Sequence, residues 1–387
     1  MWRFVVLVIF AALMTWFLHR RLVRATGMPK RWARIVDTLL VLLAVTIAIG
    51  VGSGEVFATS WARPVGFVGW VWLASWLYLI PGLLVVGLFA GIYKLRNRRT
   101  PPTGTPPTTA PDPAKRRTLQ LATAAVTVAA LGTVGYGVHE ASGPKVSRVR
   151  VPLPRLPEEF DGYRIALVSD LHVGPARGIS FTRKVVDIVN SQDADLVAIA
   201  GDLVDGTVAK VSPDLGPLAD LRSRDGIFGV SGNHEFYADD GGRWLDVWDS
   251  LGITTLRNSR ASIERGGASI DVVGIHDYSS PAPYEPDLAA ALAGRDRDTF
   301  ALLLAHEPRQ AEQASDMGID LQLSGHTHGG QMWPLRYLVP LQQPSVQGLD
   351  KIGNTVLYTT RGAGAWGPPV RVGAPPEITV LELVREN

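Results

Sequence analysis

Five short strings carry the residues best suited to chemistry: Asp170-Leu171-His172, Gly201-Asp202, Gly232-Asn233-His234, His306, and Gly325-His326-Thr327-His328. Imidazole, carboxylate and amide oxygen together suit borderline to hard divalent cations such as Mn, Fe or Zn. Residues two apart in extended chain point to the same side, so Asp170 with His172, and His326 with His328, can each reach a common centre. The donors are too many for one tetrahedral ion, which points to a pair of ions bridged by a shared carboxylate. Cysteine is absent from the 387 residues, so disulfides, thiolate ligation and thiol chemistry are excluded. Five of the eight histidines fall in these strings; the other three, His19, His139 and His276, are read as structural.

A Gly-Asp pair or a lone histidine is ordinary by itself. What makes the set informative is its placement, because each string stands just beyond a strand-like run: Arg164 to Ser169, Leu196 to Ala200, Ile227 to Ser231, Phe300 to Ala305 and Leu321 to Ser324. Segments of helical character, Phe181 to Ser191, Arg243 to Leu251 and Pro308 to Met317, alternate with these runs, which is the α/β rhythm. Ser262 to Ile275 reads as a hairpin around Gly266 and Gly267, and Asn354 to Thr360 and Glu377 to Val384 read as late strands. Ligands gather at the carboxyl ends of strands in such sheets, so five separated stretches can converge on one site.

The globular part is only one of two unlike halves. Residues 1–143 carry 15 Lys and Arg against 4 Asp and Glu, whereas 144–387 carry 23 against 32, so the net charge of +2 is a cancellation. The first half is a set of apolar runs, Phe4 to Leu18, Ile35 to Val51 and Val65 to Ile92, near or above the length that crosses a bilayer. The basic cluster Arg20, Arg21, Arg24, Lys30, Arg31 and Arg34 places the first loop in the cytoplasm, and the sparsely charged loop with Glu55 and Arg63 outside. The expected organisation is therefore a transmembrane region over 1–93, a basic Pro/Thr-rich cytoplasmic linker over 94–117, a further apolar segment over 118–143, and a globular domain over 144–387. Leu119 to Val138 reads either as a fourth spanning helix or as an internal export signal, since the preceding KRRTLQL resembles a twin-arginine motif. Both readings put the globular half outside the cytoplasm. The positive charge lies beside apolar runs and the domain is acidic, so nothing supports nucleic-acid binding.

The series SDLH, GDLVD, GNHE, AHEP and SGHTHGG resembles the calcineurin-like metallophosphoesterase superfamily. LPEEFDGYRIALVSDLHVG before it, and TTRGAG and PPEITVLEL after it, look like the membrane-associated bacterial branch, over about residues 150–387. The resemblance implies an α/β fold with a two-sheet β-sandwich flanked by helices. It also implies that Asp170, His172 and His328 hold one metal, that Asn233, His306 and His326 hold the other, and that Asp202 bridges them. His234 then matches the non-ligand catalytic histidine, and Asp205 the acid that orients it. The implied activity is hydrolysis of a phosphomonoester or phosphodiester, because two cations about 3.5–4 Å apart neutralise the anionic ester and generate a bridging hydroxide near neutral pH. His234 would serve the leaving oxygen.

One departure bears on the substrate. Serine/threonine phosphatases of this superfamily carry Arg after the orienting Asp, whereas here GDLVDG is followed by Thr207, so that phosphate clamp is missing. Arg309 and Arg361 are alternative clamps, or structural residues. A phospholipid, a lipid-linked envelope intermediate and an external phosphoester are all compatible with a site tethered near a membrane, and Trp333, Tyr337 and Trp366 are aromatic residues that would meet lipid or a nucleobase, or pack. Two rival functions make different demands. A transporter would place ionisable residues inside the spans, where only Asp37 and Glu55 come near, both at ends. A non-catalytic, membrane-tethered binding module on the same fold would lack donors, and none is missing.

Overall fold

The computed structural model describes residues 2–98 and 113–386. Packing divides the chain into two units, Met1–Val51 with Pro64–Tyr136, and Gly52–Arg63 with Gly137–Asn387. The expected linker over 94–117 lies mostly outside the described residues.

The first unit is helical. Its elements are α1 (Trp2–Leu18), which continues as a π-helical turn His19–Arg24, α2 (Lys30–Gly52), α3 (Thr59–Arg98) and α4 (Pro113–Glu140), except that Gly52, the start of α3 up to Arg63 and the end of α4 from Gly137 belong to the second unit. Among the described residues, Lys30–Gly52, Thr59–Arg96 and Pro113–Glu140 are long and apolar enough to cross a membrane. The first apolar run is also helical, and at 17 residues it stands at the lower limit of crossing length. α2 and α3 approach closely through glycine: a Cβ on Gly66 would stand 2.5 Å from the Gly50 Cα, so side chains there would push the backbones apart. His19 Nδ1 and Asp37 Oδ1, 2.7 Å apart, tie the π-helical turn to α2, in keeping with a structural role for His19.

The second unit is the expected sandwich, with two six-stranded sheets. The first sheet contains β1 (Lys145–Leu153), β2 (Arg164–Val168), β3 (Leu196–Ile199), β4 (Ile227–Gly229) and β5 (Thr254–Thr255). The second contains β6 (Ser259–Arg265), β7 (Ala268–Gly274), β8 (Phe300–Leu304), β9 (Leu321–Ser324), β10 (Gly348–Ile352) and β11 (Thr355–Thr359), while β12 (Glu377–Arg385) returns to the first. The orders are β1-β12-β2-β3-β4-β5 and β10-β11-β9-β8-β7-β6. The strands β2 to β5 run parallel, as do β7, β8, β9 and β11. Residues 145–153, outside the strands expected from the sequence, form β1 and pair in parallel with β12 from Lys145 opposite Glu377 to Leu153 opposite Arg385.

Leu167, Ala198, Val230, Ile270, Leu302, Leu323 and Leu381 fill the space between the sheets, and each fully buried Val or Leu of this kind contributes about 1.5–3 kcal/mol. On the outer face of the first sheet lie α5 (Ile179–Asn190), the short α6 (Val208–Val211) and α7 (Gly241–Ser250), through Val185, Val189, Trp244 and Trp248. On the second lie α8 (Leu288–Leu292) and α9 (Ala311–Asp316), through Leu288 and Ala314. The helix expected over Pro308 to Met317 is therefore shorter, because Pro308 opens a 3-10 turn closed by a capping box between Glu307 and Gln310. The packed sheets leave the carboxyl ends of β2, β3, β4, β8 and β9 carrying the five strings.

Candidate metal centre

Every strand that delivers a donor ends abruptly, and the backbone beyond it is unusual. Among the described residues, eight other than glycine have positive φ, and five of them are Asp170 (58°), His172 (49°), Asp202 (55°), His326 (70°) and His328 (52°). L residues occupy this left-handed region at a cost, and such strain collects at functional sites. Gly201, at φ 87°, permits the turn before Asp202; a Cβ there would stand 2.5 Å from the Gly232 nitrogen. A Cβ on Gly325 would strike Ser169 Oγ and the Asp170 carboxylate, so the chain enters His326 only as glycine.

These turns gather two donor sets. In the first, His172 Nε2 and His328 Nε2 stand 3.0 Å apart, with Asp170 Oδ1 at 3.4 Å from His328 Nε2 and 4.0 Å from His172 Nε2. In the second, His306 Nε2 stands 3.2 Å from Asp202 Oδ2 and 3.3 Å from His326 Nδ1, which is 3.0 Å from Asn233 Oδ1. Asp202 Oδ2 faces both sets, being also 3.8 Å from His172 Nε2. All seven expected ligands are thus brought together, and six of them are buried, with His326 partly open.

The hydrogen bonds show what these atoms lack. His306 Nδ1 donates to the Ala200 carbonyl at 2.6 Å, so a neutral ring leaves a bare lone pair on Nε2, aimed at a carboxylate oxygen. A proton or a cation must lie between them. His172 is fixed in the same way, with Nδ1 donating to Asp205 Oδ1 at 3.0 Å and Nε2 left for the centre. Asn233 donates its Nδ2 hydrogen to the Tyr237 hydroxyl at 2.7 Å, which turns Oδ1 inward. The set is imidazole, carboxylate and amide oxygen throughout, so the residues fit divalent cations.

Electrostatics lead to the same conclusion. Burial raises Asp202, but His306 and His234 beside it hold it well below the ordinary carboxylate range. Burial lowers His326 to about 3, reinforced by the charge of His306, so the ring is neutral and keeps one nitrogen lone pair for a cation. Burial and then Arg371 hold His328 well below its ordinary value. Burial would lower His234 too, yet Asp202 and Asp205 outweigh it and raise it to about 9.

His234 stands beside the two sets and is held by Asp205. Its Nδ1 lies 2.6 Å from Asp205 Oδ1, its backbone N–H donates to Asp202 Oδ1 at 2.9 Å, and Nε2 is 4.0 Å from Asp202 Oδ2. Its ring stands between Tyr237, at 4.5 Å, and Trp366, at 6.1 Å, both more than half exposed. Asp205 Oδ1 accepts from both His172 and His234, so the cluster of His172, Asp205 and His234 is a hydrogen-bonded support and not a third donor set.

Two supports were not anticipated. Glu235, fully buried, accepts the backbone N–H groups of Asp202 (3.0 Å), Leu203 (2.9 Å) and Gly232 (2.7 Å), fixing the turn that presents Asp202. Arg371, also fully buried, donates to the His328 carbonyl at 2.7 Å and to the carbonyls of Gly364 and Arg361. Replacing Glu235 by glutamine is expected to weaken metal binding about 10–100-fold with the fold retained, since supports of this kind carry that effect. Competition with a chelating dye, beside circular dichroism, measures it; unchanged affinity would deny the support.

The alternative clamps go elsewhere. Arg361 pairs with Glu377, and Arg309 stacks over the Tyr278 ring at 4.4 Å. Gly206 stands at the position of the missing arginine, and the next residue, Thr207, donates its N–H to the Gly54 carbonyl at 2.9 Å. His276 bonds to Ser231 Oγ at 3.2 Å, and burial followed by the charge of Arg257 lowers it to about 4, which suits a neutral structural residue.

A calcineurin-like phosphoesterase domain matches residues 163–330. The chain is 37% identical over 274 residues to a transmembrane protein with metallophosphoesterase domain from Danio rerio, covering 68% of this chain and 62% of that protein. It is 38% identical over 265 residues to an uncharacterized metallophosphoesterase of Helicobacter pylori, covering 67% of this chain and 70% of that protein. The match therefore spans less than two thirds of the Danio rerio relative's length. Among solved structures, a phosphopantetheinyl hydrolase from Mycobacterium tuberculosis aligns at 16% identity and a TM-score of 0.37, over 54% of this chain and 91% of that one.

Proposed function

The chain belongs to the calcineurin-like metallophosphoesterase family, and from that premise we propose that it is a membrane-anchored phosphoesterase with two divalent metal ions, hydrolysing a phosphomonoester or phosphodiester outside the cytoplasm. The observation that carries this reading is the convergence of seven donors as two sets that share Asp202 Oδ2, with His234 beside them and its Nε2 4.0 Å from that oxygen.

Asp170, His172 and His328 would hold one ion and Asn233, His306 and His326 the other, with Asp202 available to both. When bound, two such cations neutralise the phosphoester and bring the pKa of a water into the neutral range. The chain supplies the rest. Asp205 grips His234 Nδ1 and thereby fixes the ring, leaving Nε2 to donate a proton to the departing oxygen. Asp202 and Asp205 favour the protonated ring, which is the form a general acid needs. Tyr237 and Trp366 flank the ring at the mouth and limit how the ester enters.

The outward orientation draws on two supports. The basic residues collect in the loop after α1 and around the start of α4, which favours the cytoplasm for both. The sparsely charged loop between α2 and α3 packs with the catalytic unit: Gly54 accepts from Thr207, the Glu55 carbonyl accepts from Lys210 Nζ at 2.9 Å, and Arg63 pairs with Asp214. That loop and the catalytic site then share one side of the membrane.

The test uses the full chain in detergent, stripped with chelator and reloaded with Mn or Zn, against aryl phosphomonoesters and diesters. Turnover that vanishes with the chelator and returns with the metal is expected. Metal uptake by calorimetry without turnover on any ester would instead identify a binding module.

A further inference from the structure

The segment directly after the second histidine pair exposes a run of large apolar side chains: Trp333 (53%), Tyr337 (67%), Leu338 (57%) and Leu341 (80%). Four such residues lie within nine, in and beside the two short 3-10 turns Leu335–Tyr337 and Val339–Leu341, a local density of exposed apolar side chains of the kind that marks an interaction site. The only charge between Met332 and Gln343 is Arg336, and no acid lies there. Tryptophan and tyrosine flanking aliphatic residues, with one cation and no anion, is the composition of a membrane interface.

Hydrogen bonds join this segment to the end of α4. The Gly137 carbonyl accepts the Arg371 N–H at 2.9 Å; the next residue, Val372, donates to the Gln331 carbonyl at 2.9 Å and accepts from the Trp333 N–H at 2.8 Å. Gly137 is packed so closely that a Cβ there would strike the Val370 and Val372 side chains. The apolar run of α4 stops at Val138, so the exposed segment begins one strand-like step from the point where the span ends. Gln331 also binds both backbone groups of Trp366, at 2.9 and 2.8 Å, and Trp366 flanks His234.

We propose that residues 333–341 form an interfacial element whose apolar side chains enter the headgroup region of the same bilayer that α4 crosses, holding the mouth of the metal centre at the lipid surface. The proposal rests on α4 being a span, as in the functional reading above, and it stands whatever ester is cleaved. It commits to lipid as the occupant; a second copy of the chain is the competing outcome.

The absence of cysteine makes the test clean. Full-length chains carrying Leu341→Cys, or Tyr337→Cys as a second position, are labelled with an environment-sensitive nitrobenzoxadiazole probe and reconstituted in phosphatidylcholine/phosphatidylglycerol vesicles. Glu264→Cys, exposed on the β6–β7 hairpin, is the comparator. Carbonate washing and flotation first show that the chain is anchored, separately from the probe. Expected is a blue-shifted probe at 341 and 337, quenched by phospholipid with a doxyl group on acyl carbon 5 and protected from iodide, with the reverse at 264. Anchored protein whose 341 and 337 probes respond to iodide as fully as the 264 probe would overturn the proposal. So would probes insensitive to doxyl lipid together with a 341–341 disulfide between copies on oxidation of the unlabelled Leu341→Cys chain.

Discussion

Replacing Asp202 by asparagine is expected to lower kcat/KM for an aryl phosphate by about 10²- to 10⁴-fold, because the carboxylate serves both donor sets and the ions they would hold supply several kcal/mol of transition-state charge stabilisation, each 1.36 kcal/mol being tenfold in rate. Asp202 Oδ2 is the one donor atom that faces both sets, 3.2 Å from His306 Nε2 and 3.8 Å from His172 Nε2. Asparagine keeps an oxygen for the His234 N–H, which Asp202 Oδ1 accepts at 2.9 Å, so the turn survives while the shared charge is lost. Metal content by mass spectrometry should fall along with the rate. Equal turnover by the two proteins would sink the paired-metal mechanism.

His234→Asn should behave differently, and the contrast separates ligand from acid. Its ring is held by Asp205 through Nδ1 and flanked by aromatics, with Nε2 left without a hydrogen-bond partner among the described residues, 4.0 Å from Asp202 Oδ2. A positioned proton donor contributes about 10²–10⁴-fold, so kcat should fall by that amount while metal content stays at the wild-type level. The loss should be largest for an alkyl phosphate, whose departing oxygen needs the proton, and smaller for p-nitrophenyl phosphate, whose leaving group departs as a stable anion. Steady-state kinetics on the pair of esters gives the comparison. An identical loss on both, or metal lost with the histidine, would remove His234 from the acid role.

The donor set was legible in sequence because each member sits within a few residues of its own strand, so short-range pattern and function coincide. Asp170 with His172, and His326 with His328, are cases where spacing alone brings both side chains to one place. The supports were not legible, since their partners are remote. Glu235 lies inside a quoted motif, yet its work is to accept amides from Asp202 and Leu203, more than 30 residues earlier. Arg371 reads as one basic residue in a glycine- and proline-rich stretch, and only the folded chain turns it onto the His328 carbonyl. The first strand was missed for a related reason. Lys145–Leu153 alternates basic and apolar residues, a period-2 signal that was available, but its partner β12 is far along the chain and its outer edge is exposed. The single α1 to α4 hydropathy signal was strong because it needs no partner at all.

The left-handed backbone at five of the seven candidate donors sets binding against stability. An L residue in that region gives up about 1–2 kcal/mol relative to the right-handed one, whereas glycine adopts it without that steric cost. Exchanging Asp170, His172, Asp202, His326 or His328 for glycine would therefore relieve local strain in the metal-free chain while removing a donor. Cations bound at this centre would have to offset a conformational cost that the bare chain carries alone.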